Sequence, residues 1–410
     1  MEVICGRDCR KAIGGKCIRE ALKIDSSGIC TGYEKYRDFY REDNVVIYDD
    51  AGLPSVMVKI SRPKDTEKIH PMFIIGGEVY DEIYISKYKN CIINGKAYSL
   101  PMQKPATDVN LEEAEQACFS KGEGWHLLTA AERGFLAQFC YDNNTLPHGN
   151  TNRGEWHGNP EEKCKTYDGY RMLTGSGPET WTHDHSVFGI DGLCGDIWEW
   201  FRGLRLMNGR LGIVPNNDAA MNIDLSENSP KWIPVEIGED SVYMVTEGGI
   251  ICFTTEAPEE DDYDGCRWEE VEFDFEIPEE MKNLGLFNGE PKAYIYVDTE
   301  GERLPICGGR WNNTSSTGVF NVNLNNSRSN SNSNIGFRSA LLSYARGAKF
   351  KDFPTVREDK GACFHSGLKG RRKNGTVREL AVLFWRRQTK PERLWTLRVK
   401  KLKAATHSYS

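Results

Sequence analysis

Four thiols in residues 1–30, Cys5, Cys9, Cys17 and Cys30, form the first group able to do chemistry, because four thiolates can close a tetrahedral zinc site. Their C-x3-C-x7-C-x12-C spacing lacks the paired short knuckles of zinc motifs, so ordinary reduced cysteines are the expectation. The chain carries 13 Cys, an odd number, mostly isolated, which fits buried thiols better than a disulfide framework. His183, Asp184, His185 and Asp191 are a second group, with imidazole and carboxylate donors suited to a metal. They lack a third clearly spaced ligand, and loop hydrogen bonding is expected there instead. Glu256 to Gly265 has the composition of a calcium loop without EF-hand spacing, and a solvated acidic loop is expected.

The fourth group consists of side-chain amides and hydroxyls. From Asn312 to Asn334 the chain holds nine Asn, six Ser and two Thr, a composition that by itself reads as a linker. Within it VFNVNLN alternates, putting Phe320, Val322 and Leu324 on one face and Asn321, Asn323 and Asn325 on the other. An apolar face anchors a strand, and outward amides are adaptable donors and acceptors of the kind that recognition loops use. Trp311, Arg328, Gly336, Phe337 and Arg338 are expected to be scaffold.

Several elements must position these groups. The segment Met72 to Leu100 alternates like strands and contains an Asn-Gly hairpin turn at Asn94-Gly95. A helix follows over 110–124, with Asn110 as its cap, Glu112 and Glu113 at its positive end, and Ala114, Ala117 and Cys118 as a packing stripe. A second helix opens with a Thr129/Glu132 capping box. Residues 146–192 read as long ordered loops, 192–214 as strands with a turn at Asn208-Gly209, and 216–305 as an acidic, irregular insertion. The aromatics of the Trp198-Glu199-Trp200 block are expected to be core.

Hydrophobic content of 39% with ten Trp, 17 Tyr and 17 Phe indicates a globular protein. There is no run of about eighteen apolar residues and no apolar leader near Met1, so neither a membrane span nor a secretory signal is expected. Residues 346–410 carry 18 Lys/Arg against five Asp/Glu, while 1–345 carry 34 against 55. The chain therefore reads as an acidic body with a basic extension. A basic run alone is not a nucleic-acid module, and no nucleic-acid partner is expected. The expected organisation is an N-terminal segment 1–66 for attachment or oligomerisation, a main domain 67–345 and the basic extension 346–410.

In order, YISKY (84–88), NLEEAEQAC (110–118), GWHLLTAAERGFLA (124–137), GLCGDIWEWFRGLRLMNGR (192–210), GGRW (308–311) and GFRSAL (336–341) resemble a known family. It is the C-type-lectin-type fold shared by formylglycine-generating enzymes and the variable proteins of diversity-generating retroelements. The resemblance spans about residues 70–345 and implies an α+β fold with long ordered loops. The enzymes of the family use a pair of cysteines as a copper site that activates oxygen, and copper(I) needs soft thiolate ligands. Between Gly308 and Arg338 there is no cysteine, and Cys307 stands alone just outside, so no oxidase chemistry and no cofactor are expected.

The interval from Gly308 to Leu341 instead looks like the variable region of retroelement-diversified proteins. There a reverse transcriptase copies a template with errors at adenines, and adenine-bearing codons encode Asn and many Ser and Thr residues. The resemblance implies a non-enzymatic binding protein of a phage tail or, failing that, of a bacterial surface or cytoplasm, with an oxidase of the formylglycine-generating, sulfatase-modifying type and a purely structural virion protein as the alternatives. Its partner would be a protein or carbohydrate receptor on a target cell, with further copies of the chain or virion tail proteins as neighbours. The residues expected to contact ligand are Arg310, Asn312, Asn313, Ser315, Ser316, Asn321, Asn323, Asn325, Asn326, Asn330, Asn332 and Asn334.

Overall fold

The structure is a computed structural model that describes residues 44–49, 52–64 and 68–342, together with the backbone of four short strands. Two of these pair at Ala12–Ile13 and Lys16–Cys17, and two at Ala381–Arg386 and Thr396–Lys401. The chain divides into two compact units, Met1–Tyr344 and Ala345–Ser410. The side chains of Cys5, Cys9, Cys17 and Cys30, and those of the basic extension, lie outside the described residues. Among the described residues, strand predominates over helix, and no helix is long and apolar enough to cross a membrane.

Local chemistry accounts for the hairpins and helices. Strands Cys91–Ile93 and Lys96–Tyr98 pair with Ile93 opposite Lys96, leaving Asn94 and Gly95 as a two-residue turn at φ 52° and 76°. Strands Leu204–Met207 and Arg210–Ile213 repeat this at Asn208 and Gly209, with φ 50° and 74°. Left-handed backbone at both turn positions matches the twist of the flanking strands, and Asn-Gly accepts it at low cost. Helix α1 is Leu111–Phe119 and helix α2 is Ala130–Asp142. Both start on complete capping boxes, Asn110 with Glu113 and Thr129 with Glu132, which satisfy backbone N–H groups that have no partner in the first turn.

The first sheet has five antiparallel strands, in the order Trp125–Leu127, Ser339–Leu342, Glu82–Ser86, Pro54–Ser61 and Asn44–Tyr48. Strands Asn44–Tyr48 and Pro54–Ser61 thus belong to the sheet of the body. The boundary expected at residue 66 cuts between hydrogen-bonded strands, because cross-strand pairing carries no local sequence mark. The segment 216–305 departs further from expectation. It supplies strands Tyr243–Glu247, Ile250–Thr254, Tyr263–Arg267 and Tyr294–Asp298 to the second, twelve-stranded sheet. Its acidic residues are mainly the exposed ones, while Ile251, Phe253, Ile295 and Val297 fill the core.

The Asn/Ser tract lies inside this second sheet. Strand Val322–Asn326 runs parallel to Tyr294–Asp298 on one side and antiparallel to Glu302–Cys307 on the other. Strand Ile335–Phe337 pairs in parallel with Trp198–Trp200. A linker would leave these backbone groups to water, whereas here they are paired on both sides. Phe320, Val322 and Leu324 are fully buried, and the Trp268 indole N–H donates to the Phe320 carbonyl at 2.9 Å. Burial of each such apolar side chain stabilises the fold by about 1.5–3 kcal/mol.

One polar cluster anchors the C-terminal end of the tract's scaffold. Arg338 donates from Nε and a terminal nitrogen to the two Glu199 oxygens at 2.9 and 3.1 Å. Its remaining N–H groups reach the carbonyls of Ser86, Lys87 and Asp191 at 2.8–3.0 Å. Lys89 adds an ion pair to Glu199 at 3.0 Å and donates to the carbonyls of Gly195 and Ile197. Burial pushes the Glu199 carboxyl up, but Arg338 and Lys89 outweigh it and hold it below the usual carboxylate range.

Candidate functional site

Glycines give the chain its route into the site. Gly308 and Gly309, at φ 89° and 80°, turn it out of strand Glu302–Cys307 toward Arg310. A Cβ on Gly309 would stand 2.4 Å from Thr317 Cγ2, so the close approach also excludes side chains. Trp311 then packs at 4.9 Å from the Tyr170 ring, and its N–H donates to the Asp196 carbonyl at 3.0 Å. Arg328, expected to be scaffold, forms a fork onto Glu302 at 2.6 and 2.9 Å.

Between these supports lies a half-open cleft with a cavity volume of about 230 Å³. It is lined by Arg310, by Asn313, Asn323, Asn326, Asn332 and Asn334 from the tract, and by Trp198, Tyr296, Ile306 and Ile335. The rings of Trp198 and Tyr296 meet edge to face, with centroids 6.3 Å apart. Tyr296 has room for its ring because Gly265 sits opposite it in the neighbouring strand, where a Cβ would come within 2.3 Å of the ring.

Asn321 and Asn325, both expected on the outward face, do not line the cleft. Asn321 is fully buried and donates to the Ser316 carbonyl, closing the turn before strand Val322–Asn326, while its Oδ1 has no partner. The period-two rule fails at Asn321 because the residue precedes the strand. Asn326 is also buried, at 4% exposure, yet it lines the cleft beside Asn323. In a regular strand positions 323 and 326 would face opposite sides. The pairing register slips between Leu304 and Ile306, which face Asn326 and Asn323 respectively, so the tract strand carries one extra residue. This bulge brings Asn326 onto the cleft side, and Asn325 is displaced from it.

The other expected contacts lie around the cleft rather than in it. Asn312 is exposed, Ser315 and Ser316 are half-buried in the turn Thr314–Ser316, and Asn325 and Asn330 are half-buried. Asn330 belongs to a relay of amides: Asn332 donates to it at 3.2 Å, it donates to Asn326, and Asn326 donates to Asn323 at 3.2 Å. The relay orients the amides of the cleft floor. Among the described residues it leaves the Asn323 Nδ2, the Asn332 Oδ1 and both polar atoms of the Asn334 side chain without hydrogen bonds.

Sequence reading missed Trp198 and Tyr296 as site residues. Trp198 is 5% exposed, a core residue that also lines the cleft. Tyr296 did carry a signal, since it alternates with the buried Ile295 and Val297 and therefore places a large aromatic on the polar face of its strand.

The remaining candidates serve the loops. The His183 Nδ1 accepts from the Ile190 N–H at 2.9 Å, and Asp191 accepts from the Gly175 N–H at 3.1 Å. Asp184 accepts from the Ser186 N–H at 3.0 Å, and His185 reaches the Leu146 carbonyl at 3.1 Å. A thiolate copper centre does not fit the residues present. Cys307 is buried with its Sγ on the Glu199 carbonyl, burial pushes its thiol up to about 11, and no thiol lies in 308–338.

No protein-family model matches the chain, and no curated protein matches it. Among solved structures it resembles the structure of PvdO from Pseudomonas aeruginosa at 14% identity and a TM-score of 0.32, over 74% of this chain and 100% of that one. It also resembles the Major Tropism Determinant U1 variant at 14% identity and a TM-score of 0.26, over 71% of this chain. The match spans 58% of the length of that second protein. At these scores neither likeness bears on function.

Proposed function

We propose that the chain is a non-enzymatic receptor-binding protein that displays a retroelement-diversified surface, residues 308–341, on a C-type-lectin-type scaffold. A phage-tail adhesin acting on a target cell surface is the form of this function that the sequence resemblance favours. One observation carries the reading. Six of the twelve residues expected to contact ligand converge on one cleft, while Phe320, Val322 and Leu324 are buried in the core and Arg328 and Arg338 are held by carboxylates. Such a division lets the cleft side chains be exchanged without loss of the fold, which a diversified surface requires.

The test is binding of the labelled full chain to a panel of whole bacterial cells. The double variant Asn332→Ala/Asn334→Ala should lose binding to a cell type that the wild type binds and keep its melting temperature. Unchanged binding by a folded variant would remove the cleft from recognition. Diversification has a separate test in the surrounding DNA. It requires a near-repeat of the codons for 308–341 that differs at adenines, beside a reverse transcriptase gene.

A further inference from the structure

We propose that the cleft takes an anionic sugar of a glycan, with Arg310 pairing the sugar's carboxylate or phosphate; this rests on the binding-surface reading above. Arg310 is half-buried and lines the cleft, yet its guanidinium makes no ion pair and no hydrogen bond among the described residues. Every other arginine there that is at least half-buried has a carboxylate or carbonyl partner. A body with 55 acidic residues against 34 basic ones offers many partners, so a half-buried arginine left free in it is conspicuous. Five N–H donors in a planar fork match the oxygens of a carboxylate or phosphate.

The rest of the lining selects a sugar over an acidic protein side chain. Asn323, Asn332 and Asn334 present free amide donors and acceptors beside the guanidinium. The carboxylate of an aspartate or glutamate side chain would satisfy Arg310 and bring nothing more for those amides, whereas a sugar acid carries several hydroxyls on the same small ring. Tyr296 and Trp198 supply aromatic lining for the C–H face of a ring. The volume of about 230 Å³ suits a single ring and is small for a protein loop.

Calorimetric or NMR titration of the full chain with glucuronic acid, glucose 6-phosphate, glucose and an Asp/Glu tetrapeptide tests this. At least one of the anionic sugars should bind about tenfold or more tightly than glucose, with the preference weakening at high salt. Arg310→Gln should bring the anionic sugars to the level of glucose, and Arg310→Lys should fall between, since it keeps the charge and loses the fork. Equal binding of anionic and neutral sugars, or unchanged affinity in a folded Arg310→Gln, overturns the proposal. Tighter binding of the tetrapeptide than of either anionic sugar assigns the carboxylate to a protein and also overturns it. If Asn332→Ala/Asn334→Ala abolishes cell binding while no sugar binds, the sugar assignment falls and the binding surface stands. If cell binding survives that variant, the binding surface itself falls.

Discussion

Arg310 and Arg338 bracket the Asn/Ser tract and meet opposite fates. Arg338 is fully buried, with Glu199 and three backbone carbonyls taking its N–H groups. Arg310, 28 residues earlier, reaches a cleft lined with amides that are only partly used. Residue type is therefore a poor guide to role in this chain, and the informative property is whether the neighbours use up a polar group's hydrogen bonds. A satisfied cluster holds elements together, whereas an unsatisfied one beside solvent is available to a ligand.

The largest effect should come from the satisfied side. Arg338→Met leaves Glu199 buried with Lys89 as its one cationic partner, and urea unfolding should show a loss of about 3–5 kcal/mol. A loss below about 1 kcal/mol would erase the contrast between the two arginines.

Asp196 tests an intermediate case, since it is buried and only half satisfied. Its Oδ1 accepts from the Met172 N–H and the Asn150 amide, while Oδ2 has no partner. Burial raises its carboxyl from 3.8 to about 6, against the opposing influence of Lys89 and these hydrogen bonds. The folded state then holds the proton more tightly than the unfolded state. The resulting cost is absent below pH 3.8, grows as pH rises to about 6 and is constant above. Relative to wild type, Asp196→Asn should remove a decline in stability on the order of 3 kcal/mol across that window. Parallel pH profiles for the two proteins would rule this out.

Within the tract the contrast recurs on a smaller scale. Asn321→Ala should cost about 1 kcal/mol through the lost bond to the Ser316 carbonyl. Asn332→Ala and Arg310→Gln should each stay within about 0.5 kcal/mol by thermal melts, since neither side chain supports the core. If Asn321 and Asn332 cost the same, the tract has no division into support and display. Thr314, exposed and β-branched at φ 52°, occupies backbone that glycine tolerates better. Thr314→Gly should therefore raise stability by about 0.5 kcal/mol, and a decrease would show that the turn is not strained.

What could be read in advance follows from the range of the forces involved. Capping boxes, Asn-Gly turns and the buried Phe320, Val322 and Leu324 depend on residues within a few positions of one another, and these were legible. The strands of 216–305 were not, because their acidic exposed faces masked the buried Ile251, Phe253, Ile295 and Val297. Nor was the membership of Pro54–Ser61 in the first sheet, since pairing with Glu82–Ser86 leaves no trace in either segment alone.

The sequence by itself determined which side chains could recognise a ligand and that an apolar stripe would anchor them, because composition and period are local properties. Tertiary structure alone decided which of those side chains share a cleft. The bulge opposite Leu304 and Ile306 turns Asn326 toward Asn323, and the turn at 318–321 takes Asn321 inward. Tyr296 arrives from a strand beside the tract, and Trp198 from one almost a hundred residues upstream of Tyr296. Register and sheet order arise from contacts between segments far apart in the chain, so the cleft exists once those strands have paired and not before.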